Sequence, residues 1–237
     1  LFLEVPLIIS YYLPKELLVK YSILLKIIAV QMMFVGVFLN TLTPFIGKWY
    51  RENNFEAIGK LYRISIISSS ILGRIIILGN TLFMESIITL WVGSEQYVGA
   101  YYVILYSFFL YLFCIYSINY IVFSSFNINR KLTLKIAIIE PVIKIILSIY
   151  LTKTYGLEGT IFSVVFLALF VTFPLTTYML KFFSQNKISI DFSYTFKNFA
   201  LVLLPFTFLS YFTKELEVVF QIFVGLLILS AFIYISW

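Results

Sequence analysis

Histidine is absent from the chain, and cysteine occurs once, as Cys114, among 237 residues. A single cysteine excludes a disulfide within the chain, and without histidine the ligand set of an ordinary zinc site is missing too. No glycine-rich phosphate loop or nucleophile elbow is present, and no two carboxylates share a predicted site, so hydrolysis has no candidate machinery. We expect a protein that is not an enzyme and that carries neither a metal ion nor an organic cofactor. Cys114 lies in a hydrophobic run, where we interpret it as a small packing residue.

Charged residues are also scarce: they make up 12% of the chain, whereas a typical soluble domain has about 25%. Hydrophobic residues make up 62%, aromatic residues 20%, and mean hydropathy is +1.01. This composition indicates an integral membrane protein. The net charge of +6 comes from residues dispersed in short loops between apolar runs, so it indicates membrane topology and no nucleic-acid partner. No signal-peptide n-region or cleavage site is recognisable.

The hydrophobic runs predict an all-α, polytopic bundle of transmembrane helices. Six runs form a first unit, residues 1–184, whose first helix is cut at its start, so we expect a fragment or one half of a longer transporter. Two further runs, in residues 185–237, form an accessory helical hairpin after a polar linker. The runs lie at residues 1–13, 17–46, 61–91, 98–126, 132–152, 160–183, 199–212 and 218–237.

Turn-forming residues give the expected limits of the early helices. Pro44 and Gly47 are expected to close the second helix, after which residues 48–60 form a polar loop rich in charge. The Asn53–Asn54 pair marks a turn in this loop. Residues 55–62 are expected to form a short surface helix.

The third run is nearly unbroken Ile, Leu, Ser and Gly, yet it carries polar residues at intervals of 7, 4, 7 and 4. At 100° per residue this spacing places them on one stripe of a helix. They are Arg63, Ser70, Arg74, Thr81 and Glu85. Arg74 lies about 16 Å along the axis from Arg63, too deep to reach an interface easily, and a charge there costs about 2.5–3.5 kcal/mol on insertion scales. Arg74 should therefore face the bundle interior, either lining a path for an anion or pairing with a neighbouring helix, for example with Glu140.

A second polar stripe is expected on the fifth run, residues 132–152. Its members are Thr133, Glu140, Lys144 and Ser148. Pro141 permits a kink there, because it removes a backbone hydrogen bond. Glu140 and Lys144 are in the favourable order for an ion pair one turn apart. They either neutralise each other within the helix or face a cavity in which they have a functional role. Residues 153–159, which contain two glycines, are expected to form the next turn.

Two more intramembrane charges have two interpretations each. Lys26 lies about one and a half turns inside its helix, where it either faces a cavity or extends to the outer interface. Glu85 is two turns from Trp91 and either reaches the outer interface or takes part in function. The many tyrosine and phenylalanine rings are expected mostly to face lipid or to form interfacial belts, with a few rings available to stack on sugars.

Lysine and arginine distribution predicts the orientation. Residues 46–63, 127–135 and 181–197 hold ten of these cations, whereas the alternate loops hold four. The first set should therefore be cytoplasmic, and the C-terminus should end on the cytoplasmic side.

Several short motifs follow one another in an order that resembles a known family. They are YSILLKI at 21–27, TPF at 43–45, EAIGKL at 56–61, LWVGSEQY at 90–97, NINRK at 127–131 and YGLEGT at 155–160. Over residues 1–184 they resemble the second six-helix lobe of the bacterial polysaccharide transporter family, the O-antigen and capsule repeat-unit flippases of the MATE-like exporter superfamily. Thr160 departs from the alanine that is usual at the end of the last motif.

The resemblance implies export of an undecaprenyl-pyrophosphate-linked oligosaccharide from the inner to the outer leaflet of a bacterial inner membrane, for surface polysaccharide assembly. Two lobes would rock about a central cavity, so the implied partners are the lipid-linked oligosaccharide, membrane lipids and a missing N-terminal lobe. Lys26 occupies the basic position of the YSxxxK run, whereas Arg74 and Lys144 match no motif of the family. All three are candidate cations for the diphosphate, and Glu85 or Glu140 is a candidate for proton or sodium coupling.

Three other functions stay open. A MATE-like exporter of cationic small molecules would need net acidic charge in its site, whereas the deep charges here are three basic and two acidic. A membrane enzyme, such as a polymerase of the same sugar pathway, usually needs a large external loop, and the expected external loops have 4 to 7 residues. A non-catalytic membrane subunit is the third, if the 237 residues are the complete chain, because one lobe alone cannot enclose the central cavity.

Overall fold

The computed structural model describes residues 8, 10–126, 130–184 and 188, and within them the chain is almost wholly helical, with no strand. The helices are α1 (Lys15–Asn40), α2 (Thr43–Arg51), α3 (Phe55–Val92), α4 (Ala100–Ser125), α5 (Arg130–Leu167) and α6 (Phe173–Phe183). A 3₁₀ turn (Ser94–Gln96) precedes α4, and a π turn (Ala168–Thr172) joins α5 to α6. The all-α prediction is confirmed for this part of the chain.

Four helical stretches in the described residues are long and apolar enough to cross a membrane. They are Lys15–Arg51, Phe55–Val92, Ala100–Ser125 and Ile138–Phe182. By length and composition these stretches indicate a membrane-embedded protein. The predicted helices at 199–212 and 218–237, and most of the one at 1–13, lie outside the described residues, so the six-helix count and the boundary at 184 stay predictions.

The second predicted helix ends earlier than its sequence indicates. α1 stops at Asn40, and α2 begins at Thr43 with Pro44 in its first turn, contains Gly47 and continues to Arg51. Proline suits the first helical turn, where its missing N–H would have no intrahelical acceptor. The prediction that Pro44 and Gly47 close one long helix is therefore wrong, and the first residues of the expected polar loop are helical.

α3 begins at a turn that the sequence predicts. Asn53 has a positive φ of 54°, and the side chain of Asn54 caps the helix by accepting a 3.1 Å hydrogen bond from the backbone N–H of Ala57. The expected separate surface helix at 55–62 is instead the first part of α3, which has 38 residues. A helix of that length spans roughly 57 Å, so it extends past a bilayer core of about 30 Å.

α4 is the central helix, because it packs against α1, α2, α3, α5 and α6. Its buried rings include Tyr106, Phe109 and Tyr111. The expectation that the aromatic side chains mostly face lipid is wrong for α4, where they form the core of the bundle. Cys114 is fully buried beside them, in agreement with its interpretation as a packing residue.

α5 reverses direction within its bounds. Gly156 has φ 63° and ψ −139°, and the hydroxyls of Ser148 and Ser163 lie 2.7 Å apart although 15 residues separate them. In a straight helix those residues would be roughly 22 Å apart. A first limb (residues 130–155) and a second limb (residues 157–167) therefore lie side by side, which confirms the predicted turn at 153–159.

Candidate functional site

A cavity of about 580 Å³ lies between α1, α4, the first limb of α5, the π turn and α6. The described residues that line it are Gly36, Asn40, Phe113, Tyr116, Ser117, Tyr120, Ile121, Phe123, Glu140, Pro141, Lys144, Ile145, Thr172, Leu175, Thr176 and Met179. Most of this surface is apolar, and its polar groups come from every element that forms the wall. Cavities of about 300–1,000 Å³ with a few convergent polar groups are typical binding sites for small molecules.

The first limb of α5 contributes the two charged groups of the described lining, Glu140 and Lys144. Residues four apart lie on one face of a helix, so both side chains reach the same cavity. Lys144 is 3% exposed, whereas Glu140 is half-buried. One turn on, Ser148 bonds to Ser163 of the second limb and does not line the cavity. Of the polar stripe predicted on this helix, Glu140 and Lys144 therefore line the cavity, whereas Ser148 contacts the second limb.

The π turn places Thr172 opposite Glu140. The Thr172 hydroxyl donates a 2.5 Å hydrogen bond to a carboxylate oxygen of Glu140. Short π segments inside α-helices often occur at functional sites, because the extra residue redirects the side chains that follow. Thr176 lies four residues after Thr172, on the same face, and also lines the cavity.

Aromatic rings of α4 form the opposite wall. Tyr116 lies with its ring centroid 5.6 Å from that of Phe113, and Tyr120 lies 6.2 Å from Phe123, both in edge-to-face geometry. Tyr120 keeps 49% of its surface exposed. Asn40, at the end of α1, adds an amide that donates and accepts hydrogen bonds.

Arg74 of α3 is 3% exposed, which confirms that it faces the protein interior. It lies one turn from buried Ser70, whose hydroxyl is 3.4 Å from that of Tyr111 on α4. Arg74 does not belong to the described lining of the cavity. Its suggested pairing with Glu140 stays a prediction.

The polar stripe expected along α3 is only partly buried. Ser70 and Arg74 are buried, whereas Arg63 and Glu85 are exposed. Arg63 and Glu85 lie only about 20° around the helix axis from Arg74, so direction around the axis does not explain the difference. Burial along this stripe therefore depends on which neighbouring helix covers each turn.

Lys26 of α1 and Glu85 of α3 are exposed and do not belong to the described cavity lining. Glu85 lies toward the 3₁₀ turn, where Tyr97 has its pKa raised to about 12, first by burial and then by the Glu85 carboxylate. Of the five charged candidates predicted from the sequence, the cavity brings together Glu140 and Lys144.

Two buried polar networks were not predicted from the sequence. Gln31 of α1 and Asn80 of α3 exchange amide hydrogen bonds of 2.6 and 3.2 Å, and Asn80 also donates a 3.0 Å bond to Ser107 of α4. Intramembrane polar groups join helices in this way because lipid offers them no partner. A single amide within an apolar helix is the signal that identifies such a network.

The second network is centred on Asn119 of α4. Tyr62 of α3 donates a 2.8 Å hydrogen bond to its amide oxygen, and its amide nitrogen donates a 2.9 Å bond to Thr177 of α6. The hydroxyls of Tyr21 and Tyr106 form a further contact, between α1 and α4. Together these bonds connect α1, α3 and α6 to α4.

Comparison of the chain with protein-family models, with curated proteins and with solved structures gives no match. The cavity and its charged residues are therefore the features of the chain that bear on its function.

Proposed function

We propose that the chain is the C-terminal lobe of a flippase that moves an undecaprenyl-pyrophosphate-linked oligosaccharide from the inner to the outer leaflet of a bacterial inner membrane. The observation that carries the proposal is the cavity between apolar helices that both Glu140 and Lys144 line. Ionisable groups inside a membrane bundle are costly, and where they occur they commonly mark substrate or ion pathways. Mutual neutralisation within α5 would account for the charged pair, but it does not account for the cavity that both residues line.

The chemistry of the substrate explains why such a lobe needs polar groups. A diphosphate and its sugars cannot cross a hydrocarbon core unaided, because their charges and hydroxyls lose their hydration there. Lys144 offers a buried cation at the cavity. Lys26 and Arg74 stay candidate cations for the diphosphate, and the exposure of Lys26 suits a face that meets a second lobe.

The course of the helices is compatible with a transporter lobe. The reversal at Gly156 divides the fourth apolar stretch, Ile138–Phe182, into two limbs. If each limb crosses the membrane, the predicted helix at 1–13 would complete the six helices of one lobe. In the orientation that the basic loops predict, the Asn53 turn is cytoplasmic and the 3₁₀ turn at Ser94 is external. An N-terminal lobe, from the same protein or from a separate chain, would complete the central cavity.

Export of a cationic small molecule is the second candidate, and Glu140 is the feature that favours it. A carboxylate in an apolar cavity attracts a cation, but Lys144 on the same wall offsets that attraction. We therefore place this function behind the flippase.

Complementation of cells that lack the gene tests the proposal. Wild-type protein should restore surface polysaccharide, measured by lectin or antibody labelling, and should remove lipid-linked oligosaccharide from the cytoplasmic leaflet. Lys144→Gln should restore neither, whereas Lys153→Gln, at an exposed lysine of the same α5 helix, should behave as wild type. Normal display with Lys144→Gln contradicts the role of the cavity. Loss of ethidium efflux with unchanged display points to the small-molecule exporter instead.

A further inference from the structure

We propose that the cavity binds an uncharged sugar ring of the substrate and not its diphosphate. This inference rests on the proposed flippase function and assigns one part of the substrate to this site. It is based on three features of the cavity lining. These are a pair of opposite charges, neutral hydrogen-bonding groups, and aromatic rings on the wall that α4 forms.

Charge balance argues against a diphosphate. The described lining has two charged side chains, Glu140 and Lys144, and their charges cancel. A diphosphate within the cavity would meet the Glu140 carboxylate as well as the Lys144 ammonium, and like charges repel strongly where water is excluded. Phosphate sites in proteins instead combine several cationic or N–H donors.

The same pair suits vicinal hydroxyls. A hydroxyl both donates and accepts hydrogen bonds, so a carboxylate and an ammonium one helical turn apart can serve neighbouring hydroxyls of one ring. Thr172 already uses one acceptor position of Glu140, and it fixes the carboxylate while leaving further acceptor capacity. Asn40, Ser117 and Thr176 add neutral groups on other sides of the cavity.

Aromatic rings supply the complementary surface. Sugars present C–H groups on the faces of the ring, and these pack against the electron-rich faces of aromatic side chains. Tyr120 is suited to this contact, because it lines the cavity and remains 49% exposed. The cavity volume of about 580 Å³ lies within the range of small-molecule sites.

Saturation-transfer NMR on the complete protein in lipid nanodiscs tests the proposal directly. The probes are methyl glucoside, methyl galactoside and methyl N-acetylglucosaminide, with inorganic pyrophosphate and farnesol as charged and apolar comparisons. Irradiation of the aromatic protons should transfer saturation to at least one glycoside, and neither pyrophosphate nor farnesol should displace it.

Variants then locate the site. Tyr120→Ala should weaken glycoside binding about fivefold, the effect expected for loss of one aromatic contact. Tyr101→Ala is the matched control, because Tyr101 lies on the same helix with 47% exposure and is outside the cavity lining. Glu140→Gln removes the repelling charge, so it should allow pyrophosphate to bind while it weakens the glycoside.

Four outcomes overturn the assignment: no glycoside signal, displacement of the glycoside by pyrophosphate in the wild type, displacement by farnesol, or equal effects of the two tyrosine variants. Displacement by farnesol would identify the cavity as a site for the lipid chain. If glycosides fail to bind while Lys144→Gln still abolishes polysaccharide display, the sugar assignment fails and the flippase function stands. If glycosides bind but display is independent of the gene, the flippase function fails.

Discussion

Thr172 and Glu140 join two helices across the wall of the cavity through a 2.5 Å hydrogen bond. The bond links the π turn before α6 to the first limb of α5, which also carries Lys144. A hydroxyl that donates to a carboxylate forms a shorter and stronger bond than one between neutral groups. It therefore holds the acid in a defined position on the wall of a mostly apolar cavity.

Removal of the Thr172 hydroxyl should destabilise this contact. Thr172→Val keeps the shape of the side chain but leaves Glu140 without that donor, and we expect a loss of about 1 kcal/mol, near the range for interhelical bonds in membranes. Thr172→Ser keeps the hydroxyl and should be close to wild type. A fluorogenic maleimide measures unfolding, because Cys114 is fully buried in the native protein. Equal unfolding temperatures for the two variants would contradict the prediction.

Gly159→Ala should prevent normal folding of the α5 hairpin. A Cβ at this position would overlap the backbone carbonyl of Leu151 on the first limb, and backbone cannot move away as a flexible side chain can. Gly79→Ala is the control, because nothing lies within 4 Å of a Cβ there, and replacement of glycine by alanine inside a helix stabilises by about 0.5–1 kcal/mol. Detergent-solubilised yield and thermal unfolding should separate the two variants; similar values would refute the close packing of the limbs.

Gln31 and Asn80 should be energetically coupled. Gln31→Met and Asn80→Leu each remove one member of the reciprocal amide pair between α1 and α3, so each leaves a polar group without its main partner. The double variant replaces both groups by apolar ones and should lose less stability than the two single losses combined. A double-mutant cycle by thermal unfolding measures this, with an expected coupling of about 0.5–1.5 kcal/mol. Strict additivity would show that the pair contributes no interaction.

Cysteine labelling should establish the orientation of the chain. In a Cys114→Ala background, Ser94→Cys in the 3₁₀ turn should react with a membrane-impermeant maleimide in intact cells. Asn53→Cys, in the turn before α3, should react only after the membrane is permeabilised. Both positions are exposed, so access to the reagent depends on the side of the membrane alone. The reverse pattern would place the basic loops outside and contradict the charge-based topology.

Much of the local structure could be predicted from the sequence. Asn53 and Gly156 adopt positive φ angles, which asparagine and glycine accept more readily than other residues. Asn54 caps the start of α3 with its side chain. The prediction around Pro44 was wrong because proline suits the first turn of a new helix as well as the end of an old one. Local preference allowed both outcomes, and packing of the adjoining helices decided between them.

The candidate site could be predicted only in part. Regular spacing placed Glu140 and Lys144 on one face, and burial of Lys144 agrees with that inference. The same argument grouped Arg74 with Glu85, which the structure separates into a buried and an exposed residue. Periodicity gives the relative direction of side chains along a helix, but it does not say which neighbour covers each turn.

Composition and periodicity by themselves determined that this protein consists of apolar helices suited to a membrane, because both depend on residues close together in the chain. Tertiary structure decided that α4 is the central helix and that the π turn brings Thr172 to Glu140. It also decided which charged residues share a cavity. These features depend on contacts between residues far apart in sequence, such as Thr172 and Glu140, and no local pattern encodes the distance between them.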